Sequence, residues 1–310
     1  MRFAMKVVAA TAAVLCMGSA FAQKGETVRI AMIEGLSGPM GNVGQNQLKN
    51  LQFLADPANG VKNPAGVKFE IVGLDSKGSP QEALSTFKAA VDQGFRYIAQ
   101  GNGSGAALAL SDAVAKHNER NPGKEVVYLN YSAVDPALTN EKCNYWHFRL
   151  DADTTQKMEA LTSFMKDQPK VKKVYLLNQN YSHGHQVAKY FKEGFTKSGG
   201  QISAELDFNG GDKDFKAQLT AIKSAAPDAV FVPGYYTDVA LIAIQAKQLG
   251  LNVPLCGGDG WESQTLLDIG KDAVEGHYFS THYASDAASP KVTAFVEAYK
   301  KRYSGKVEKR

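Results

Sequence analysis

Short runs of β-branched and aromatic residues alternate along the chain with longer runs in which apolar residues recur at helical spacing. The short runs cover residues 28–33, 67–72, 95–99, 126–129, 145–150, 173–177, 201–208, 229–232 and 253–256. Regular alternation of strands and helices is typical of a parallel α/β architecture. The pattern therefore predicts parallel sheets whose strands are connected by helices.

The helical pattern is clearest after Ser79, where a proline takes the first helical position and Glu82 follows the serine by three residues. This spacing predicts a capping box, in which the two residues satisfy each other's backbone amides. The apolar residues expected on one face of this helix are Ala83, Leu84, Phe87, Ala90 and Val91. The same spacing recurs at Phe215, Leu219 and Ile222, and at Val292, Phe295, Val296 and Tyr299. We expect these residues to lie in the core.

Two stretches interrupt the alternation and predict passages between lobes. Residues 130–144 are rich in turn-forming residues, and residues 274–290 contain a strand-like alternation that leads to Pro290 and a new helix. A length of 310 residues also favours two domains. We therefore predict a first lobe over residues 23–141, a second over 142–273 and a return to the first over 274–310.

Residues 1–22 have the pattern of a cleavable secretory signal peptide. Arg2 and Lys6 precede an apolar run over residues 7–21, which ends in a small-residue cleavage pattern. The run is too short to span a bilayer. Lipidation at Cys16 is the less favoured alternative, because the residue before the cysteine is not small.

Charge and cysteine content narrow the function classes. The chain carries 35 Lys and Arg against 31 Asp and Glu, and the basic residues form no cluster. This distribution offers no electrostatic surface for nucleic acid. Cys143 and Cys256 remain after removal of the signal peptide. They could form a disulfide in an oxidising compartment or could be two buried thiols, and the sequence leaves both possibilities open.

The sequence GNGSG at residues 101–105 connects a predicted strand to a predicted helix. Its glycine spacing fits a tolerant form of the dinucleotide-binding fingerprint, but the next strand ends at Asn130 without the acid that a ribose requires. A serine-hydrolase elbow centred on Ser104 would need glycines at positions 102 and 106, where the chain has asparagine and alanine, so this motif is absent. Exposed amides at a helix start, together with the Ser104 hydroxyl, instead favour a seat for a carboxylate. A simple tight turn is the alternative.

His183 and His185 stand two residues apart at the start of another predicted helix. Helical metal ligands are usually four residues apart, and no nearby group of acids or cysteines completes a ligand set. We therefore predict no metal site, and we expect one of the two histidines to form a hydrogen bond in a pocket.

Two further strand ends carry polar residues, namely Tyr235 or Tyr236 in one case and Asp259 in the other. In open parallel sheets, ligands bind just beyond the carboxyl ends of the strands. We therefore expect these loops, the loop at residues 101–105 and the His183 loop to meet at one cleft. A helix cap or turn role is the alternative for Asp259.

Several motifs follow one another in a specific order and spacing: IAMIEGLSGPMGNVG, GNGSG with LSD, YSAVDPALT, HFR, DKDF, PGYY and GGDGW. With them the chain resembles the periplasmic substrate-binding proteins of branched-chain amino acid ABC transporters, the leucine/isoleucine/valine-binding type, over nearly all of residues 28–303. The resemblance implies an α/β fold with two doubly wound parallel-sheet lobes joined by a hinge, as in type I periplasmic binding proteins. It also implies a monomeric periplasmic receptor without a cofactor, which closes over a ligand and delivers it to an ABC permease.

The resemblance assigns ligand contacts in the first lobe to Ser104, Ser132 and Val134. Ser104 matches the serine that binds the ligand carboxylate through its hydroxyl and amide, and we expect the amides of residues 101–105 to face that anionic group. Ser132 and Val134 match the residues that complete the carboxylate and ammonium contacts. The family often has threonine at the position of Val134, and the Ser132 hydroxyl could replace the missing hydrogen bond.

In the second lobe, the resemblance assigns ligand contacts to His183, Tyr235 and Asp259. Asp259 matches the acidic residue that faces the ligand ammonium, and His183 stands where relatives often have tyrosine. The candidates for the wall that sets specificity are Val43, Asn102, Gly103 and Trp261. Aliphatic amino acids are the first expectation for the ligand, followed by aromatic acids and short amides.

Family members usually continue for about another half-lobe, so the resemblance implies that this chain is truncated at its C-terminus. The alternative function is a sensing receptor for amides or aromatic acids. No enzyme activity is expected, because no nucleophile, base and orienting acid occupy workable positions.

Overall fold

The structure is a computed structural model that describes residues 26–56, 66–167 and 170–303. The predicted signal peptide over residues 1–22, including Cys16, lies outside the described residues. Among the helices that the structure describes, none combines the length and the apolar character needed to cross a membrane.

Five parallel strands form the sheet of the first lobe, in the order β2-β1-β3-β4-β5. The strands are β1 (Thr27–Glu34), β2 (Lys68–Asp75), β3 (Tyr97–Gln100), β4 (Val127–Asn130) and β5 (His147–Arg149). The helices that connect them are α1 (Gly41–Ala55), α2 (Pro80–Asp92) and α3 (Ser104–Arg120), with short 3-10 helices at Gly38–Met40 and Pro136–Thr139. Ile30 of β1 lies opposite Ile71 on one side and Tyr97 on the other, so the chain winds outwards from β1 in both directions.

The second lobe contains another parallel sheet, in the order β10-β9-β8-β6-β7. Its strands are β6 (Lys173–Gln179), β7 (Gln201–Phe208), β8 (Ala229–Phe231), β9 (Leu255–Gly257) and β10 (Tyr278–Phe279). Its helices are α4 (Thr154–Lys166), α5 (Ser182–Lys197), α6 (Lys216–Ala225), α7 (Tyr236–Gln248) and α8 (Gln264–Gly270), with 3-10 helices at Asp259–Trp261 and Lys271–Val274. The strand order reverses beside β6, which confirms the predicted doubly wound α/β fold in both lobes.

Strands β6 and β8 are buried on both faces, which explains their largely apolar sequences, whereas β2 and β7 at the sheet edges are mostly exposed or half-buried. Tyr128 of β4 and Phe231 of β8 are both fully buried. Phe231 stacks on Phe191 of α5, with ring centroids 3.8 Å apart. Each sheet is thereby fixed to its helices, and its strand ends become a rigid support for loops.

At the N-terminus of α2, only one of the two hydrogen bonds of the predicted capping box forms. Ser79 Oγ accepts a hydrogen bond from the Glu82 amide at 3.4 Å. The Ser79 amide, however, donates to the carbonyl of Ser76 at 2.9 Å, so it does not need the Glu82 side chain. Ala83, Phe87 and Ala90 form the buried face of α2, whereas Leu84 is 39% exposed because it lies beside that face and not on it.

The structure corrects both predicted lobe boundaries. Residues 147–149 pair with β4 as the edge strand of the first sheet, so the chain leaves the first lobe after Arg149 and not near residue 142. Residues 278–279 pair with β9 in the second sheet, so the return begins after Phe279 and not at residue 274. Edge strands of two or three residues have too little pattern to reveal their partner in the sequence.

Cys143 and Cys256 are both free: Cys143 is exposed and Cys256 is buried. Burial raises the pKa of the Cys256 thiol to about 12. Cys143 and Cys256 therefore form no disulfide in this structure. Cys256 is a buried thiol, as the second alternative predicts, whereas Cys143 is an exposed thiol.

Helix α9 (Pro290–Tyr303) returns to the first lobe and packs on α1. Phe53 of α1 is 1% exposed, and its ring lies against three aromatic rings of α9. The centroid distances are 5.6 Å to Phe295, 5.1 Å to Tyr299 and 6.1 Å to Tyr303. This aromatic contact therefore anchors the return of the chain to the first lobe.

We predict that Phe53→Ala lowers the free energy of unfolding by about 3–5 kcal/mol, because it removes the ring on which α9 packs and leaves a cavity. Urea denaturation followed by circular dichroism measures the change. The neighbouring Leu54, which is 45% exposed, provides a matched control. Leu54→Ala should cost less than about 1 kcal/mol. Equal losses for the two variants would show that α9 is not anchored at Phe53.

Candidate functional site

A narrow cavity lies between the lobes, at the carboxyl ends of strands from both sheets. Its lining comes from the loops after β3, β4, β6, β8 and β9, and comprises Gly101, Asn102, Gly103, Ser104, Ser132, Ala133, Val134, His183, Tyr235, Asp259 and Gly260. The first lobe contributes the residues up to 134, and the second lobe contributes the others. The predicted meeting of these loops at one cleft is therefore observed.

Eight of the ten residues predicted as ligand contacts line this cavity. They are Asn102, Gly103, Ser104, Ser132, Val134, His183, Tyr235 and Asp259. Val43 and Trp261 do not. Val43 packs into the apolar cluster of the second lobe, and Trp261 is 1% exposed with its indole donating to the Val232 carbonyl at 3.0 Å. Both side chains are occupied in packing, so the structure gives them no place in the cavity wall.

The two lobes touch each other around the cavity. Val43 of α1 belongs to the same apolar cluster as Tyr235 and Tyr236 of the second lobe. The Gly105 amide of α3 donates to Ser182 Oγ at the start of α5, at 3.1 Å. These contacts describe a closed arrangement in which the cavity is largely removed from solvent.

Ser104 is the first residue of α3 and is 1% exposed. Its hydroxyl is buried and has no hydrogen-bond partner among the described residues. Gly103, the N-cap, has a φ of +82°, which an L-residue rarely adopts, so the sharp entry into α3 requires glycine there. The result is an unpaired hydroxyl at the positive end of a 17-residue helix, which is a favourable place for an anionic group.

The amides of the 101–105 loop are used differently from the prediction. The amides of Gly101 and Asn102 each donate to Glu34 Oε2 at 3.0 Å, and the Gly105 amide is bonded to Ser182. These three donors therefore serve the protein and not a ligand. A Cβ at Gly101 would lie 2.4 Å from the Tyr131 ring, so glycine is required there for close packing.

Glu34, which the sequence analysis missed, is a fully buried carboxylate at the end of β1. Besides the amides of the loop, Glu34 accepts from the Gly35 amide and the Tyr131 hydroxyl. Gln47 Oε1 accepts from Asn102 Nδ2 at 2.7 Å and lies 3.1 Å from the Tyr131 hydroxyl oxygen. This polar network fixes the loop in front of Ser104. The available signal was an acidic residue directly after a buried strand, which is unusual without a partner.

Burial raises the pKa of the Glu34 carboxyl above its usual value of 4.5, although hydrogen bonds from Tyr131 and from the backbone amides of Asn102, Gly101 and Gly35 act in the opposite direction. The desolvation of the charged form is the larger effect. Folding therefore favours the protonated form of this group relative to the unfolded chain.

Asp259 forms a buried ion pair that the sequence analysis also missed. Lys157 Nζ of α4 lies 2.6 Å from Asp259 Oδ2 and 2.7 Å from Asp151 Oδ2. The three side chains are only 12%, 9% and 8% exposed, respectively. The acid expected to face a ligand ammonium is thus already neutralised by a lysine. No motif signals this pair, because Asp259 is 102 residues from Lys157.

A second narrow cavity adjoins the first and shares Val134, His183, Asp259 and Gly260 with it. Lys157 and Thr154 contribute polar atoms to its lining, and Met158, Val187 and Pro233 contribute apolar surface. The cleft therefore has a polar end at Ser104 and a more apolar end beneath α4, with the ion pair beside both.

An aromatic group forms one side of the cleft in the second lobe. The imidazole of His183 stacks on the Tyr235 ring with centroids 6.1 Å apart, and Tyr181 lies 5.8 Å from the same ring. Burial raises the pKa of the Tyr181 hydroxyl well above its usual value of 10.0. These flat faces suit either an apolar or a planar ligand body.

The two histidines of this loop point to different places. His183 lines the cavity, whereas His185 is exposed and lies 3.2 Å from Asn180 Oδ1. The group of potential metal ligands found among the described residues is instead Asp151, Asp259 and His282. The ammonium of Lys157 lies within hydrogen-bond distance of both aspartates, so a cation already serves that group.

Two lobes with parallel sheets, closed around a cavity at their strand ends, define a small-molecule binding protein of the hinged type. A family model described as periplasmic binding protein matches residues 27–309, and the chain belongs to this family.

The relatives share the same architecture. The Leu/Ile/Val-binding protein homolog 4 of Brucella abortus (strain 2308) is 30% identical over 291 residues, covering 93% of this chain and 70% of that protein. The solved leucine binding protein LivK of Thermotoga maritima is 28% identical with a TM-score of 0.78, covering 91% of this chain and 77% of that one. LivJ of Streptococcus pneumoniae, solved with isoleucine, is 27% identical with a TM-score of 0.78, covering 91% and 79%. The predicted family and type I fold are confirmed, and these relatives are binding proteins.

We predict that Glu34 makes stability pH-dependent. Its folded-state pKa is raised, so its contribution is fully present below about 4.5 and is lost as the pH rises through the raised value. Compared with Glu34→Gln, the wild type should lose up to about 1.4 kcal/mol per pH unit within that window. Urea denaturation between pH 4 and pH 8 measures the difference.

Glu159→Gln, at an exposed position of α4, is the control for the change in net charge. It should show the same pH dependence as the wild type. If Glu34→Gln also follows the wild type in parallel, the raised pKa of Glu34 is refuted.

Proposed function

We propose that this chain is the periplasmic solute receptor of an ABC transporter, which captures an amino acid or a related small carboxylate between its lobes and delivers it to the permease. The observation that carries the proposal is the buried Ser104 hydroxyl, which lacks a partner among the described residues and faces an interlobe cavity at a helix N-terminus. An unpaired buried hydroxyl is costly, and a ligand carboxylate would satisfy it.

Capture depends on hinge closure. Contacts such as Gly105 to Ser182 form only when the two lobes meet, and they close the cavity around its contents. Closure removes water from the ligand, so each ligand polar group needs a protein partner. A ligand that supplies the missing bond to Ser104 therefore favours the closed form over the open one.

The descriptions of the relatives support the proposed class of protein and ligand. The Thermotoga protein is described as leucine binding, and the Streptococcus protein is described as a branched-chain amino acid transporter substrate binding protein in complex with isoleucine. Their architecture is shared along most of this chain, so a small carboxylate is the ligand class we infer here.

A thermal-shift screen of amino acids and small organic acids tests the function. A ligand at about 100 times its dissociation constant should stabilise the folded protein by about 2.7 kcal/mol. A clear shift with one group of small carboxylates is expected. The absence of any shift across the amino acids and organic acids would contradict the proposed function.

We predict that Ser104→Ala weakens binding of the ligand found in the screen by about 1–2 kcal/mol, or roughly five- to thirtyfold. Loss of one hydroxyl donor leaves the helix N-terminus in place, so binding is weakened and not abolished. Isothermal titration calorimetry measures the change. Ser163→Ala, at an exposed position of α4, is the matched control and should bind like the wild type. An unchanged affinity in Ser104→Ala would remove this serine from the site.

A further inference from the structure

The charges that line the cleft already cancel. Among the described residues that line the two adjoining cavities, Asp259 is the one carboxylate and Lys157 is the one ammonium. Their charged atoms are 2.6 Å apart, and both side chains are largely buried. A ligand therefore meets a paired acid and base, and not an isolated carboxylate waiting for a cation.

Two carboxylates contact the ammonium of Lys157. Asp151, in the crossover that follows β5, lies 2.7 Å from the same Nζ that contacts Asp259. Asp151 lines neither of the two adjoining cavities. His282 Nδ1, from the crossover that leads to α9, lies 4.0 Å from Asp151 Oδ1. The third charge, that of Asp151, therefore belongs to a crossover segment and not to the lining of either cavity.

The hydrogen-bonding groups of this pair favour a ligand group other than an ammonium. An ammonium only donates hydrogen bonds and would lie near the like charge of Lys157. A hydroxyl can accept from Lys157 and donate to Asp259, and a carbonyl can accept from Lys157. A neutral oxygen therefore matches the donor and acceptor that the pair presents.

We propose, on the basis of the receptor function inferred above, that the site takes a small carboxylic acid whose second polar group is a hydroxyl or carbonyl oxygen and not an ammonium. The carboxylate binds at Ser104, and the second oxygen faces the Lys157–Asp259 pair. Lys157 is then the residue that determines specificity, because it occupies the electrostatic role that the ammonium of an amino acid would otherwise fill at Asp259.

The test compares ligands that differ only at the second carbon. Calorimetric titrations use three matched sets: leucine, alanine and phenylalanine, each with the hydroxy acid and the oxo acid of the same carbon skeleton. In the set whose skeleton fits the cavity, the hydroxy or oxo acid should bind at least about tenfold more tightly than the amino acid, an equivalent of about 1.4 kcal/mol.

Lys157→Met should change this ranking. Asp259 then lacks its cation, so the amino acid should gain at least about tenfold relative to its hydroxy counterpart. Lys192→Met is the matched control, because Lys192 forms an ion pair of 2.7 Å with Glu205 on the outer face of α5 and is 43% exposed. It should retain the wild-type ranking.

Equal or tighter binding of the amino acid by the wild type would overturn the inference while leaving the receptor function intact. An unchanged ranking in a folded Lys157→Met variant would overturn the assigned role of Lys157. Failure of every compound in the three sets to bind would instead contradict the receptor function itself. Should Lys157→Met fail to fold, as breaking a buried ion pair can cause, the wild-type ranking alone decides.

Discussion

The cleft is organised by one constraint: a polar group removed from water must have a partner. Glu34 meets this constraint with two loop amides and the Tyr131 hydroxyl, and Asp259 meets it with Lys157. Ser104 does not meet it within the described part of the chain. The two satisfied acids make the walls of the cleft rigid, and the unsatisfied hydroxyl gives a ligand a place to bind.

The topology of the sheets determines where in the molecule this constraint applies. Parallel strands place all their carboxyl ends at one edge, and the two lobes turn those edges towards each other. The loops that leave these edges are short and begin helices, as at Ser104 of α3 and Ser182 of α5. Closure therefore brings helix N-termini and buried strand ends together, which creates both the cavity and the need to pair its polar groups.

Glu34 and Asp259 have different roles in the site: one determines its shape and the other its charge. Glu34 lies behind the loop and fixes its geometry, while Asp259 lies in the cavity lining and sets, with Lys157, the electrostatic character of the cleft. The family resemblance alone suggests an acid that awaits a ligand ammonium. In this chain Lys157 of α4 already forms an ion pair with Asp259, because α4 passes beside the strand ends of the same lobe.

Local pattern was sufficient for much of the protein. The parallel α/β architecture, the helix cap at Ser79 and the meeting of the Ser104, Tyr235 and Asp259 loops follow from periodicity, capping spacing and strand-end motifs, and the doubly wound topology follows from the family resemblance. The tertiary structure decided the sheet to which residues 147–149 belong, the burial of Trp261 in the core and the pairing of Lys157 with Asp259. Lys157 and Asp259 are 102 residues apart, and no local rule relates such positions. Only the folded chain, by excluding water from both, forces them to pair.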